Sequence, residues 1–383
     1  VLFASYSPYI YKKYIDMRKI FILLSITLLL FSCSKKYDRQ ESERYMTTGN
    51  VEYVKEFPVN IELSQPQRIE MEALNVTGFQ VLDTLMALKV KGDGFLAFST
   101  MKNPKVLGRF LNVGNSEEEL VFPPDLATGF VFYQLGDTLL ADVFDQQKGR
   151  ILTMDVNQSL KTGKLVLKSI SKGLANNDFN VVRLTDGRYF VKELLNGDTQ
   201  QTRMIRDLKT GKNFTPKILA QLNTASVAPG EDFNILSTIT KVSKDDRIIE
   251  MPIGLNYINI YKIDGSFAKT VCVGDKLDDI DEIMNTDRWN RLYTFSNISV
   301  FDKCFGVVQI NEEEKSYQSK REKLPSILLF SLEGKPLASI KMKRHITSFD
   351  IDFKNGYLYT LDNQTEEFLK YKIPQELKTV LDR

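Results

Sequence analysis

Beyond residue 50 the chain alternates apolar and polar residues with period two, the signature of β-strands with two unlike faces. Ser348, Phe349, Asp350, Ile351, Asp352 and Phe353 show it most plainly. Phe349, Ile351 and Phe353 are expected on one face and the polar residues on the other. Lys354, Asn355 and Gly356 form a tight-turn signal, and Tyr357 to Leu361 predicts a second strand. Asp362 to Thr365 turns again, and Phe368 to Ile373 predicts a third strand ended by Pro374.

The pattern repeats along the chain. Ile258 to Gly265 (INIYKIDG) matches Ile327 to Gly334 (ILLFSLEG), and the strands that follow, Ala268 to Val273 and Leu337 to Met342, align without a gap. Met204 to Gly211 is a looser copy. A short polar turn that opens an apolar strand recurs at Asp83, Asp137, Asp186, Asp246, Asp302 and Asn355, at intervals of 49 to 60 residues. Each interval accommodates one four-stranded sheet with its loops. Six starts predict an all-β fold, a six-bladed β-propeller of four-stranded antiparallel blades over 51–383. A β-sandwich array is the competing architecture. One meander cannot bury both its faces, so the blades must pack on each other and the ring must close. Val51 to Pro58, or Asn60 to Leu63, is expected to pair with the C-terminal blade as the closing clasp.

Residues 17–32 break the alternation. Met17, Arg18 and Lys19 precede an apolar run from Ile20 to Phe31, interrupted by Ser25 and Thr27. A bilayer-spanning helix needs about 20 residues. This shorter run with its basic flank reads as the core of a signal peptide. It ends in Leu30, Phe31, Ser32 and Cys33, which resembles a lipobox with Phe31 bulkier than usual at its position. The thiol of Cys33 would carry a diacylglyceryl group, and cleavage before it frees an amine for a further acyl chain, together a firm anchor. An ordinary signal peptide with an incidental cysteine is the other reading. Residues 1–16 are read as an upstream extension and 33–50 as a flexible tether. Ser34 gives no inner-membrane retention signal and no acidic run follows. The expected location is the outer membrane, facing the periplasm.

The chain resembles the TolB-like six-bladed propeller lipoproteins. The resemblance rests on Cys33, on Gly108, Arg109 and Phe110 running into Gly114 and Glu117 to Glu119, and on the C-terminal segments ILLFSLEGKPLASIKM, HITSFDIDFKNGYLYTL and LKYKIP. Asn115 and Ser116 stand where a more Gly/Pro-rich stretch is usual. The resemblance implies an envelope location and a binding or scaffolding role, with no catalytic residues to carry over.

Charge and composition narrow the functions. The 51 basic residues nearly balance the 49 acidic ones, which argues against a nucleic-acid partner. His345 is the single histidine, a poor basis for metal sites or imidazole catalysis. Cys272 and Cys304 are expected as separate buried thiols rather than a disulfide. Asp275 to Asp287 is dense in carboxylates but lacks calcium-loop spacing, and reads as a solvated loop. Trp289 and Arg291 are the residues singled out for a ligand pocket, by stacking beside guanidinium groups. Glu312 to Lys323 reads as a long exposed loop. No metal, cofactor or catalytic residue is predicted. The function expected is a non-enzymatic ligand-binding or protein-interaction module. It would be monomeric, held to the membrane by its N-terminal lipid, and meet an envelope protein or a glycan or peptide ligand. The alternative is a propeller hydrolase or lactonase with a divalent metal in the central funnel.

Overall fold

The computed structural model of the chain describes residues 40–381, leaving aside 71–74, 83, 102–103, 125–128, 176 and 196–198, with backbone alone at 231 and 233. The described strands form six sheets, each a meander in chain order. Blade 1 is Val76–Leu82, Leu85–Val90, Leu96–Thr100 and Val106–Phe110. Blade 2 is Phe130–Leu135, Thr138–Asp145, Arg150–Asp155 and Leu167–Lys172. Blade 3 is Asp178–Arg183, Tyr189–Leu195, Gln200–Asp207 and Lys212–Phe214. Blade 4 is Thr238–Val242, Arg247–Pro252, Tyr257–Lys262 and Ala268–Val273. Blade 5 is Leu292–Val300, Cys304–Glu313, Ser326–Ser331 and Pro336–Met342. Blade 6 takes Ser348–Asp352, Tyr357–Asp362 and Glu367–Lys372 from the C-terminal region. This is the six-bladed propeller expected from the repeat.

The recurrent polar turns all fall at one place in the blade, between its first and second strands; Asp83 itself lies outside the described residues. The self-similar acidic-Gly turns fall between third and fourth strands. There Gly211, Gly265 and Gly334 adopt φ of 70°, 76° and 83°, a conformation only glycine takes without strain. The first strands line the axis and touch their neighbours. Ser296 Oγ donates to Thr347 O at 3.1 Å and Ser299 Oγ to Phe349 O at 2.7 Å, joining blades 5 and 6.

The hydrophobic core is six clusters, one in each gap between neighbouring blades. Alternate residues of a strand feed opposite gaps. In blade 5, Leu328 and Phe330 pack toward blade 4, whereas Ile327 and Leu329 pack toward blade 6. A strand buried on both faces needs a continuous apolar run, which explains ILLF. Each fully buried large side chain contributes ~1.5–3 kcal/mol.

Three expectations change. First, the alternation at 348–353 does not separate core from solvent. Phe349 and Ile351 are buried and Phe353 is exposed, while Asp350 and Asp352 are also buried, because this innermost strand is walled on both sides by other blades. Second, the clasp is not residues 51–63. Val51–Val54 adds in parallel to the outer strand of blade 4, and Val59–Leu63 adds in parallel to that of blade 5. Gln67–Arg68 then pairs antiparallel with Leu369 and Lys370, supplying blade 6 with its fourth strand. Third, the tether is shorter than 33–50. Glu41–Arg44 is helical, Met46 is 1% exposed, and Thr48 N donates to Thr270 Oγ1 at 2.9 Å. Met46 is an apolar anchor in an otherwise polar stretch. It is seated by Tyr257 Oη, which accepts from its N–H at 3.2 Å, and by Asn259 Nδ2, which donates to its carbonyl at 2.8 Å.

Cys272 and Cys304 are buried free thiols in blades 4 and 5. The charged run at 312–323 is built in rather than loose. Glu312 ends a strand, is 2% exposed, and accepts from the N–H groups of Glu322 at 2.7 Å and Lys323 at 3.3 Å; Glu314–Ser319 is helical.

The ring seam makes a direct prediction. Ile69 N–H donates to Phe368 O at 2.9 Å, and its buried side chain fills the gap between blades 6 and 1. Ile69→Pro removes the hydrogen bond and the apolar contact together, at a cost of ~2–4 kcal/mol. Thermal unfolding should show a clear drop in Tm; a melt equal to that of the unaltered chain would mean that this segment does not hold the ring.

Candidate functional site

The six inner strands enclose a central cavity of about 1480 Å³. An innermost strand has hydrogen-bonded neighbours on one side only, so its other backbone edge faces the axis and keeps the channel polar. The end at which first strands turn into second strands is here termed the hairpin end. There the cavity wall carries Arg183, Thr185, Lys241, Ser243, Lys244, Asp302, Lys303, Asp352 and Lys354. With Lys89 and Asp350 included, six cationic side chains face three carboxylates, so the wall is positive in sum.

These charges are held in different ways. Arg183 lies over the rings of Tyr133 and Tyr189, at 5.1 and 5.8 Å. It also donates to Asp142 at 3.3 Å. Tyr133, Tyr189 and Thr153 donate to the same carboxylate at 3.2, 3.1 and 2.7 Å. Burial, with the Asp142 charge beside them, pushes both tyrosine hydroxyls above their ordinary pKa. They therefore stay protonated donors. Lys244 pairs with Asp302 at 2.6 Å on the rim, where both are largely exposed. Asp352 accepts from Asn355 through both backbone N–H and side chain, fixing the turn.

Asp350 is different. Its carboxylate sits at the seam where the last blade meets the first. It accepts from Val81 N–H of blade 1 at 2.8 Å and from Ile351 N–H at 2.8 Å. Burial raises its pKa to about 7, with Asp352 adding to the rise; the two N–H groups and Lys241 across the channel oppose it.

A second charged cluster is sealed between blades 3 and 4. Glu250 accepts from Arg203 Nε at 2.8 Å, Tyr261 Oη at 2.5 Å and Thr238 Oγ1 at 3.1 Å, and Lys192 Nζ lies 2.6 Å away. Burial pushes Lys192 down to about 8, helped by Arg203 and opposed by Glu250. Glu250 is buried too, yet its two cations hold it well below the usual carboxylate range. All three charged groups are 0 or 1% exposed, so the cluster is a structural joint with no path to a substrate.

Trp289 and Arg291 do not line the cavity. They lie on the linker from blade 4 to blade 5, at the end opposite the hairpins. Trp289 is 47% exposed in the short turn Arg288–Asn290. Arg291 is engaged by Asp232 at 2.7 Å and by the carbonyls of Thr286 and Met284. Asp275 to Asp287 is the same linker, and Asp279 within it is buried against Arg44. Cys33 lies outside the described residues. Among the described residues no three His, Cys, Asp or Glu side chains are grouped to hold a metal. Sequence reasoning missed Arg183, Lys241 and Asp350. The turn repeat contained their signal, since residues just before each polar turn end an inner strand and so line the axis.

No protein-family model matches the sequence, and no curated protein matches it. Among solved structures the chain is similar to a member of the DUF4221 family from Bacteroides vulgatus, at 10% identity and a TM-score of 0.49, covering 82% of this chain and 94% of that one. It is also similar to a Bacteroides fragilis protein thought to be exported, at 8% identity and 0.46, covering 83% and 99%. The β-propeller domain of Cps50 (Swd1) from Myceliophteria thermophila aligns at 8% identity and 0.41, covering 81% and 100%. The strand pairing of this chain, rather than these likenesses, establishes its propeller.

Asp350 gives a pH prediction. Its pKa rises on folding from 3.8 to about 7. The protonated carboxyl therefore favours the fold, an advantage complete below pH ~4 and lost as pH climbs through ~7, on the order of 3 kcal/mol. Asp350→Asn should flatten this slope: its Tm relative to the unaltered chain should rise by several degrees between pH 5 and pH 8. Parallel Tm–pH curves for the two proteins would refute the assignment.

Proposed function

We propose that this chain is a lipid-anchored propeller of the cell envelope, of the TolB-like kind, that binds a ligand or partner without catalysing a reaction. The observation that carries the reading is the central cavity, whose hairpin end gathers cationic side chains from blades 3 to 6 around a polar channel. Such a wall suits a ligand or partner segment bearing carboxylates or other anionic groups, whether an envelope protein, a peptide or a glycan. The anchor in this reading is lipid on Cys33, at an outer membrane and facing the periplasm. No helix among the described residues is long and apolar enough to cross a membrane.

The metal hydrolase alternative needs convergent carboxylates and amides on the axis. The carboxylates that face this cavity are already committed, Asp302 to Lys244, Asp350 to two backbone N–H groups, and Asp352 to Asn355. That distribution favours the binding reading.

Two measurements test it. Cys33→Ser should move the protein from the membrane fraction to the soluble fraction, and mass analysis of the native N-terminus should find acyl groups on Cys33. A serine variant that stays with the membrane overturns the anchor. For the cavity, purification from gently solubilised membranes should recover a stoichiometric companion or bound small molecule. Lys241→Glu with Lys303→Glu should lose it with little change in Tm. Equal recovery by this double variant places binding elsewhere.

A further inference from the structure

The end of the propeller opposite the hairpins carries an apolar patch beside the point where the N-terminal segment leaves the fold. Ser42 O accepts from Thr224 Oγ1 at 2.7 Å, and Arg44 pairs with Asp279. Thr224 and Asp279 belong to the linkers that join one blade's outer region to the next blade's inner strand, and those linkers lie at this end. The Asp279 linker continues through the helix Ile280–Met284 to the turn Arg288–Asn290, which presents Trp289. Trp289, Leu292 and Leu324 are 47, 43 and 52% exposed, high values for large apolar side chains.

Hydrogen bonds gather the three. Glu314 N–H donates to Arg291 O at 2.9 Å, and Leu292 pairs with Glu313 across blade 5. The segment leading to Leu324 is tied to Glu312 through the Glu322 and Lys323 N–H groups. Cationic residues surround the patch. The Arg288 guanidinium lies 5.7 Å from the Trp289 ring centre, and Lys315, Lys320 and Lys323 are exposed beside it. Exposed Trp and Leu rimmed by Lys and Arg is the composition of a surface that settles at lipid headgroups.

The tether supplies the second argument. Cys33 lies eight residues before Glu41. A fully extended chain of that length reaches at most about 28 Å, so a lipid on Cys33 keeps this end of the molecule near the bilayer. We propose that the blade 5 patch of Trp289, Leu292 and Leu324 rests in the headgroup layer of the membrane that anchors Cys33. The hairpin end of the channel then faces away from the lipid, open to partners. This inference rests on the lipid-anchor reading, and its test separates the two.

Trp289 is the single tryptophan of the chain, so its fluorescence reports this patch alone. The full chain, processed and lipidated in cells, is reconstituted with vesicles of phosphatidylethanolamine and phosphatidylglycerol containing brominated phospholipid. Its emission should shift to the blue and fall about twofold relative to vesicles without bromine. Leu292→Ser with Leu324→Ser should remove most of that quenching while Tm and co-flotation with the vesicles are kept. Acylated, co-floating protein whose emission ignores the bromine overturns the patch and leaves the anchor standing. Emission shielded from aqueous iodide but not quenched by bromine also overturns it, since a protein then covers Trp289. Absence of acyl groups by mass analysis overturns both.

Discussion

A blade of this propeller has no face it can leave in water. Every gap between neighbours is filled with side chains from both, so the fold stands only if the sixth blade meets the first. That junction is made by three contacts from different parts of the chain. Gln67–Arg68 completes blade 6, Ile69 fills the gap behind it, and the Asp350 carboxylate accepts the Val81 N–H across the inner strands. The first two fasten the seam at the rim and the third fastens it at the axis. Residues far apart in sequence must be brought together, at a loop-closure cost recovered only when the last blade docks.

The class of fold was legible because a strand packed between two blades leaves a strong mark. Continuous apolar runs such as ILLF, the glycines that end third strands, and the polar turns after inner strands recur at the blade period. The count of six followed from the turns alone. What the pattern could not reveal was partnership. Val51–Val54 and Val59–Leu63 look like any half-buried strands, and nothing in their residues says that they add in parallel to blades 4 and 5 rather than closing blade 6. Two residues, Gln67 and Arg68, close it, and no periodicity can be read from two residues. Met46 was likewise hidden: one apolar residue within a polar stretch gives no pattern, yet it is almost wholly buried beneath Tyr257 and Asn259.

The candidate site was less legible, for a physical reason. Period-two reasoning assumes one dry face and one wet face, and an inner strand has neither in simple form. Asp350 alternates with Phe349 and Ile351 as a solvent-facing residue would, but both of its sides are walled by protein. Backbone donors from its own strand and from blade 1 do the work that water would do. The Glu250 cluster follows the same logic with side chains as partners. Breaking one member would leave uncompensated charge in a dry gap. Arg183 shows the intermediate case. Its guanidinium is held by two tyrosine rings and a buried carboxylate, yet part of it still reaches the cavity.

Ring closure and membrane attachment share one stretch of chain. Residues 41–69 pass from the patch end at blades 3 and 4, along the outer edges of blades 4 and 5, to the seam at blade 6. The parallel strands on the way cap two exposed sheet edges that would otherwise invite pairing with another chain. In the anchored reading, a pull on the lipid meets the Arg44–Asp279 pair and the buried Met46 before it reaches the blade 4 ladder, and it meets both ladders before the clasp. The clasp is thus the last contact loaded, although it is the shortest strand of all. A two-residue strand is enough to close the ring because tension on the anchor is taken up by the segments ahead of it.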